Sequence, residues 1–362
     1  MIVHREKLPS LCHQLLAGRF LLGIGKGRGT RLYSFDTKSR RVSPAQVSTR
    51  KLLKLSLSYD SNRFVVADNV LRELTGTVTE DGVFVDTGPN DVTQFKHNTV
   101  AHVRHIVGDK VLLSSPNSSD YYLFDVPTGK IKPLHMLSAS RNNFGLATSP
   151  LATRYVEATT SHRLVFGYSS NPYEQNDTRI PFEHEWAVPP FNVRANENKR
   201  FSSVTHKTLP LIAFDAIRWV GEDVLFIPAH NVLFRITLAS DRVADSRFVL
   251  YKNTHISHMN PSSDGKRAAC LLYNRLRIET FDRKMPAIPI KLPFSPSLPR
   301  AFWLADNQRV VVADSRGNYV EVFVGDGGIP DTHMLIAANG RGKDREVARA
   351  MASDVYNDRF VD

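Results

Sequence analysis

The sequence predicts an all-β fold assembled from a repeated four-stranded unit, a seven-bladed β-propeller, and three observations carry the prediction. A hydrophobic–aspartate pair recurs ahead of a turn: Phe35-Asp36 before Thr-Lys-Ser-Arg, Phe124-Asp125 before Val-Pro-Thr-Gly-Lys, and Phe281-Asp282 before Arg-Lys-Met-Pro. Short apolar strands recur at a near-constant period. Polar or glycine-bearing turns precede most of them. Self-similarity at a fixed period sets an architecture before any single residue matters.

The apolar strands are Phe20–Ile24, Phe64–Ala67, Val111–Ser114, Leu164–Tyr168, Val224–Ile227, Ala268–Leu272 and Val310–Ala313, with starts 44, 47, 53, 60, 44 and 42 residues apart. Blades of four antiparallel strands take about 40–45 residues, so the two long intervals read as loop insertions. Each of these strands is expected to be the second of its blade. The turns ahead of them include Asp60–Arg63, Gly108–Lys110, Gly221–Asp223 and Ala305–Gln308, clusters whose side chains favour turn geometry. Third strands follow at Arg31–Phe35, Tyr121–Phe124, Val232–Ile236, Leu276–Phe281 and Tyr319–Val324, several with the apolar–polar alternation of a half-exposed sheet. Residues near Ile2-Val3 are expected to close the ring beside the last blade.

Ser262-Ser-Asp-Gly-Lys266 matches the Ser-Pro-Asp-Gly turn of WD40 repeats with Ser263 in place of proline, and the hydrophobic–aspartate hairpins are those a WD40 repeat places at its outer edge. Over roughly residues 10–338 the chain resembles the WD40 family, as a divergent member with no Trp-Asp and no Gly-His dipeptide. The resemblance implies a propeller over 1–338, followed by a tail at 339–362. It also implies an intrablade hydrogen-bond network, for which His255 and Asp282 are the candidates in the sixth unit. Most units lack the set, so β-branched and aromatic packing must hold them.

Two segments stand apart. Residues 170–207 are polar and rich in proline, with Phe182, Trp186 and Phe191 amid charge; long irregular insertions usually carry function or lack order. Phe182, Trp186 and Arg194 are its candidate binding residues, with Trp186 the anchor. Val347, Met351 and Val355 have helical spacing within 342–358, which predicts a short C-terminal helix.

Hydrophobic content of 42% and charged content of 23% are ordinary globular values, and no apolar run approaches membrane-spanning length. The charged N-terminus lacks the apolar core of a secretory signal. The two cysteines, Cys12 and Cys270, lie in no metal spacing, and Cys270 sits in an apolar run as a small buried hydrophobe. An intracellular protein of the cytoplasm or nucleus is expected. Residues 1–54 hold twelve Lys/Arg against Glu6 and Asp36, a net of +10 in a chain of net +11. So localised an excess points to one face meeting something acidic.

The glycine-rich Gly23–Gly29 stretch lacks the Gly-Lys-Ser/Thr of a phosphate loop and leads into a strand, not a helix. It reads as a hairpin displaying Lys26, Arg28 and Arg31. With Arg40 and Arg41 these form the candidate site for an anionic partner. His102/His105 and His255/His258 are three apart, which on a strand means opposite faces, so neither pair chelates as a unit. Glu183-His184-Glu185 has no accompanying nucleophile or oxyanion motif and reads as a solvated loop. No catalytic residue, metal or cofactor is expected. The function expected is a non-enzymatic scaffold mediating protein–protein interactions in a larger complex. The alternative is an RNA- or ribonucleoprotein-associated propeller binding phosphates through the basic N-terminal region, and no membrane partner is expected.

Overall fold

The computed structural model describes residues 12–16, 18–25, 30–39, 41–49, 52–57, 63–68, 73–79, 82–86, 102–107, 110–114, 121–125, 130–134, 146–151, 153–160, 163–169, 179–181, 186–187, 216–229, 231–251, 254–273, 275–281, 287–292, 295, 297–324 and 336–337, those before residue 216 and after 324 mostly as strand backbone. Its regular structure is antiparallel sheet, seven sheets among the described residues. The first comprises β1 (Cys12–Leu16), β2 (Phe20–Gly25), β3 (Thr30–Asp36) and β4 (Val42–Thr49). The second comprises β5 (Leu52–Leu57), β6 (Arg63–Asp68), β7 (Glu73–Thr79) and β8 (Gly82–Asp86). The third has β9 (His102–Val107), β10 (Lys110–Ser114), β11 (Tyr121–Asp125) and β12 (Lys130–Leu134).

The fourth sheet holds β13 (Leu146–Thr148), β14 (Arg154–Thr160), β15 (Arg163–Ser169), β16 (Arg179–Pro181) and β17 (Trp186–Ala187). The fifth holds β18 (Arg218–Val220), β19 (Val224–Ala229), β20 (Val232–Leu238) and β21 (Val243–Leu250). The sixth is β22 (His258–Pro261), β23 (Arg267–Leu272), β24 (Arg275–Thr280) and β25 (Ile288–Lys291). The seventh is β26 (Arg300–Trp303), β27 (Arg309–Ala313), β28 (Tyr319–Phe323) and β29 (Ile336–Ala337). Each is a meander in which sequential strands pair, except that β17 of the fourth sheet pairs with β15, the pattern that short turns between apolar strands dictate.

The sheets fall into two compact units: Met1–His135 with Ile256–Asp362, and Met136–His255. In the first unit, one core joins the sixth and seventh sheets through Ala269, Leu271, Leu276, Ile278, Trp303, Val310, Val312, Val320 and their neighbours. A second joins the seventh to the first through Leu21, Phe35, Phe302, Leu304, Val311 and Tyr319, with Phe35 and Tyr319 edge to face at 5.1 Å. In the second unit Val156, Leu164, Phe166, Leu225, Ile227, Phe234 and Ile236 form one core. Full burial of each such aliphatic or aromatic side chain stabilises by about 1.5–3 kcal/mol, so packing carries these sheets. Cys270 is fully buried among them.

Two expectations are corrected. Leu164–Tyr168 lies on β15, the third strand of its sheet, and the second strand is β14. The cause is composition: β14 carries Arg154, Glu157 and three hydroxyl or small residues, so the more apolar β15 stood out. With β14 as the second strand the interval from Val111 to Arg154 becomes 43 residues and the excess length falls between the fourth and fifth sheets.

Residues 170–207, expected as an irregular insertion, contribute β16 and β17, both paired with β15. Trp186 is half-buried there, edge to face with Phe234 at 5.2 Å. Its indole packs against the core of its unit. The strand beside β28 is β29, and Ile2-Val3 lie outside the described residues, as does the expected helix at 342–358.

Candidate interaction surface

A four-stranded meander has two ends. One carries the turns between strands one and two and between three and four. The other carries the turn between strands two and three and the connections from sheet to sheet. Among the described side chains of the sixth and seventh sheets, the chemistry differs sharply between these ends.

At the first end adjacent sheets are clasped. The Ser263 amide donates to Asn307 Oδ1 at 2.9 Å and Asn307 Nδ2 donates to Ser263 Oγ at 2.7 Å, tying the first turn of the sixth sheet to that of the seventh. The Ala305 amide donates to the Gly18 carbonyl at 3.1 Å, tying the seventh sheet to the first. Gly18 has φ +58°, and a Cβ there would lie 2.6 Å from Ala305 Cβ and 2.9 Å from its backbone; only glycine permits both the conformation and the approach. Arg19 forks onto Asp36 through Nε and Nη2, each 2.7 Å from a carboxylate oxygen. Burial pushes the Asp36 carboxyl up, but the Arg19 guanidinium, the Ser39 side chain and the Lys38 and Ser39 amides outweigh it and hold the carboxyl well below the usual range.

Asp264 and Asp306 repeat this pattern. Burial works against each charge, yet Asp264 is lowered by Ser262, the Lys266 amide and the charges of Arg267 and Lys266, and Asp306 by Arg309 and the amides of Gln308 and Arg309. Burial likewise opposes the charge on Arg309, but Asp306 and Glu321 raise its affinity for the proton. Arg309 also reaches buried Glu321 at 2.9 Å, whose other oxygen accepts from Tyr319 Oη at 3.0 Å. In the second unit the same kind of clasp joins the first turns of the fourth and fifth sheets. Glu222 accepts from the hydroxyls of Ser149 and Thr153 and from the Leu151 amide at 2.7 Å, and Arg154 pairs with Asp223 at 2.9 Å.

The opposite end of the sixth and seventh sheets is different. Arg275 opens β24 and Lys291 closes β25, directly across from one another. Arg300 opens β26, and Arg316 lies in the turn from β27 to β28. All four cations are exposed, and among the described residues none has an ion-pair partner. Tyr273 and Leu298 stand beside them, 66% and 75% exposed. Both adopt left-handed backbone, φ +54° and +49°, a conformation costing bulky L-residues about 1–2 kcal/mol.

Asp314 anchors this end. Its carboxylate, 1% exposed, accepts from the Arg316 and Asn318 amides at 2.9 and 2.8 Å, from Asn318 Nδ2 at 2.8 Å and from the Ser297 amide at 3.1 Å. Ser315 adds a bond from its amide to the Ser297 carbonyl at 2.8 Å. The loop that carries Leu298 is thereby fixed to the turn that carries Arg316. Nothing in the charge count marks Asp314, although Asp-Ser-Arg-Gly-Asn is a turn signature that finds it.

The inner strands β22 and β26 meet through side chains. His258 Nδ1 accepts from the Ala301 amide at 3.2 Å and Asn260 Oδ1 from the Trp303 amide at 3.0 Å. His258 thus serves a seam between sheets, and no group of metal-binding residues occurs among the described residues. Asp282 lies outside them, as do Glu183, His184 and Glu185.

The sequence-derived basic site is split by this geometry. Lys26, Arg28 and Arg40 lie outside the described residues. Arg31, at the start of β3, belongs to the end that holds Arg275 and Arg300; Arg41 is exposed in the turn after β3, at the clasped end. Five strand steps, from Arg31 to Asp36, separate them by about 17 Å, so they do not form one patch. A charge count along the chain misses this because consecutive turns of a meander fall on opposite ends. Of the other candidates, Phe182 and Arg194 lie outside the described residues.

No protein-family model matches the chain, and no curated protein matches it in sequence. Solved structures do match in fold. The β-propeller domain of Cps50 (Swd1) from Myceliophteria thermophila superposes with a TM-score of 0.57 at 11% identity, over 89% of this chain and 98% of that one. A chain of the mitotic checkpoint complex superposes with a TM-score of 0.53 at 12% identity, over 88% of each.

Proposed function

We propose that the chain, a divergent WD40-like β-propeller, is a non-enzymatic scaffold that binds other proteins as a subunit of a larger complex. The observation that carries this is the asymmetry of the first unit. One end of the sixth and seventh sheets is tied by clasps between sheets, and the other presents exposed cations and apolar side chains, with the loop of Leu298 and the turn of Arg316 joined by Asp314. Groups already ordered in the unbound state lose little entropy on association. The resemblance to a propeller found in the mitotic checkpoint complex supports the same role.

The phosphate-binding alternative draws on the basic residues alone, and of these Arg31 and Arg41 lie at opposite ends of their sheet. Purification of the tagged full chain under native conditions, with and without nuclease, tests the proposal. A defined set of proteins should co-purify in constant ratio and survive nuclease. A chain that purifies alone, or whose partners vanish with RNA, overturns it.

A further inference from the structure

We propose that the end of the sixth and seventh sheets bearing Arg275, Lys291, Arg300 and Arg316 is a docking site for an extended acidic peptide segment of a partner protein, one that also carries an apolar side chain. This rests on the scaffold reading and names the chemistry that the scaffold holds.

Three observations converge. Arg275 and Lys291 are directly opposed across β24 and β25, which places their Cβ atoms about 5 Å apart on one face. Like charges in that position destabilise a sheet, and no carboxylate among the described residues relieves them. Among the described residues the acid of this end, Asp314, is buried and committed to four hydrogen bonds within its own turn and loop. The site is therefore a set of unneutralised cations complementary to carboxylates from outside.

Tyr273 and Leu298, both bulky, both exposed and both in left-handed backbone, carry a conformational cost that glycine would remove. Among the described residues the third non-glycine with positive φ is Asn307, an asparagine that tolerates it and works in a clasp. Two costs at one end, one of charge and one of backbone, mark a surface kept for a ligand at the expense of stability.

The apolar part decides the class of ligand. Single-stranded nucleic acid stacks successive bases on several aromatic platforms, whereas among the described residues this end offers one exposed ring, Tyr273, beside the aliphatic Leu298, a pair that suits an apolar peptide side chain. Carboxylates spaced along an extended chain can meet the opposed pair and Arg300 or Arg316 while an intervening side chain rests on Tyr273 or Leu298.

The test is fluorescence anisotropy on the full chain with a labelled Asp-Glu-Leu-Asp-Glu-Phe-Asp-Glu peptide, the same peptide with Ser for Leu and Phe, and an oligouridylate of similar charge. The acidic apolar peptide should bind saturably, with the serine peptide and the oligouridylate each weaker by about tenfold. Lys291→Glu together with Arg275→Glu should weaken it about tenfold, and Leu298→Gly by several-fold. The single Lys291→Glu protein, which replaces a like-charge pair by an opposite one, should bind more weakly while its thermal midpoint stays the same or rises; a site that is merely structural would not separate the two. Equal or tighter binding of oligouridylate, unchanged affinity in the variants, or no saturable peptide binding overturns the proposal. Partners that co-purify equally with the double variant sink this site and leave the scaffold reading standing. A wild-type chain without nuclease-resistant partners sinks the scaffold reading itself.

Discussion

The two ends of the sixth and seventh sheets are built from the same strands, yet they solve opposite problems. At the clasped end Asp264, Asp306 and Asn307 sit on turns of type Asp-Gly or Asp-Asn, and every one bonds backbone or a neighbouring sheet. At the other end Arg275, Lys291, Arg300 and Arg316 face solvent, and Leu298 protrudes from a strained turn. The difference teaches where stability and recognition are invested: polar groups that close the fold are satisfied internally, and those left unmatched are offered outward.

The largest break in this comparison is expected at Gly18. Gly18→Ala forces left-handed backbone on a substituted residue and drives its Cβ into Ala305, which should cost about 3 kcal/mol and lower the urea midpoint. Next comes Arg19→Ala. It leaves the Asp36 carboxylate largely buried without its fork, a loss of about 2 kcal/mol; Arg19→Ala with Asp36→Asn should recover part of it, as a double-mutant cycle will register.

Acid sharpens the same contrast. The carboxyls of Asp36, Asp264 and Asp306 are all held below their ordinary range in the folded chain. Their contribution is complete above the unfolded value of about 3.9 and is lost as pH falls through the depressed folded values. Urea unfolding at stepped pH should therefore show stability falling below about pH 4, with a shallower fall in Asp36→Asn and Asp306→Asn. The smallest effect has the opposite sign. Lys291→Glu at the exposed end should stabilise by about 0.5 kcal/mol, readable by thermal melting, so the two ends answer charge substitution in opposite directions.

Much of the fold was legible in the sequence. The apolar strands at Phe20, Phe64, Val111, Val224, Ala268 and Val310 are all second strands of their sheets, because period-two burial and polar turns are local properties. Phe35-Asp36 and Phe124-Asp125 end third strands as read. The fourth sheet misled because apolarity measures burial and not strand order. Less of the candidate site was legible. Arg31 and Arg41 are neighbours in sequence and lie at opposite ends, whereas Arg275, Lys291, Arg300 and Arg316 are scattered in sequence and share one.

By itself the sequence determined the class of fold, the repeat length and most strand positions, since alternation, turn chemistry and β-branched content act over a few residues. Only the tertiary structure decided which turns share an end, that Gly18 must meet Ala305, that His258 and Asn260 bond across a seam, and that Asp314 fixes Leu298 in place. These are pairings between residues 17 to 287 positions apart. Their existence depends on how sheets stack, which side-chain burial between sheets governs and local patterning does not encode.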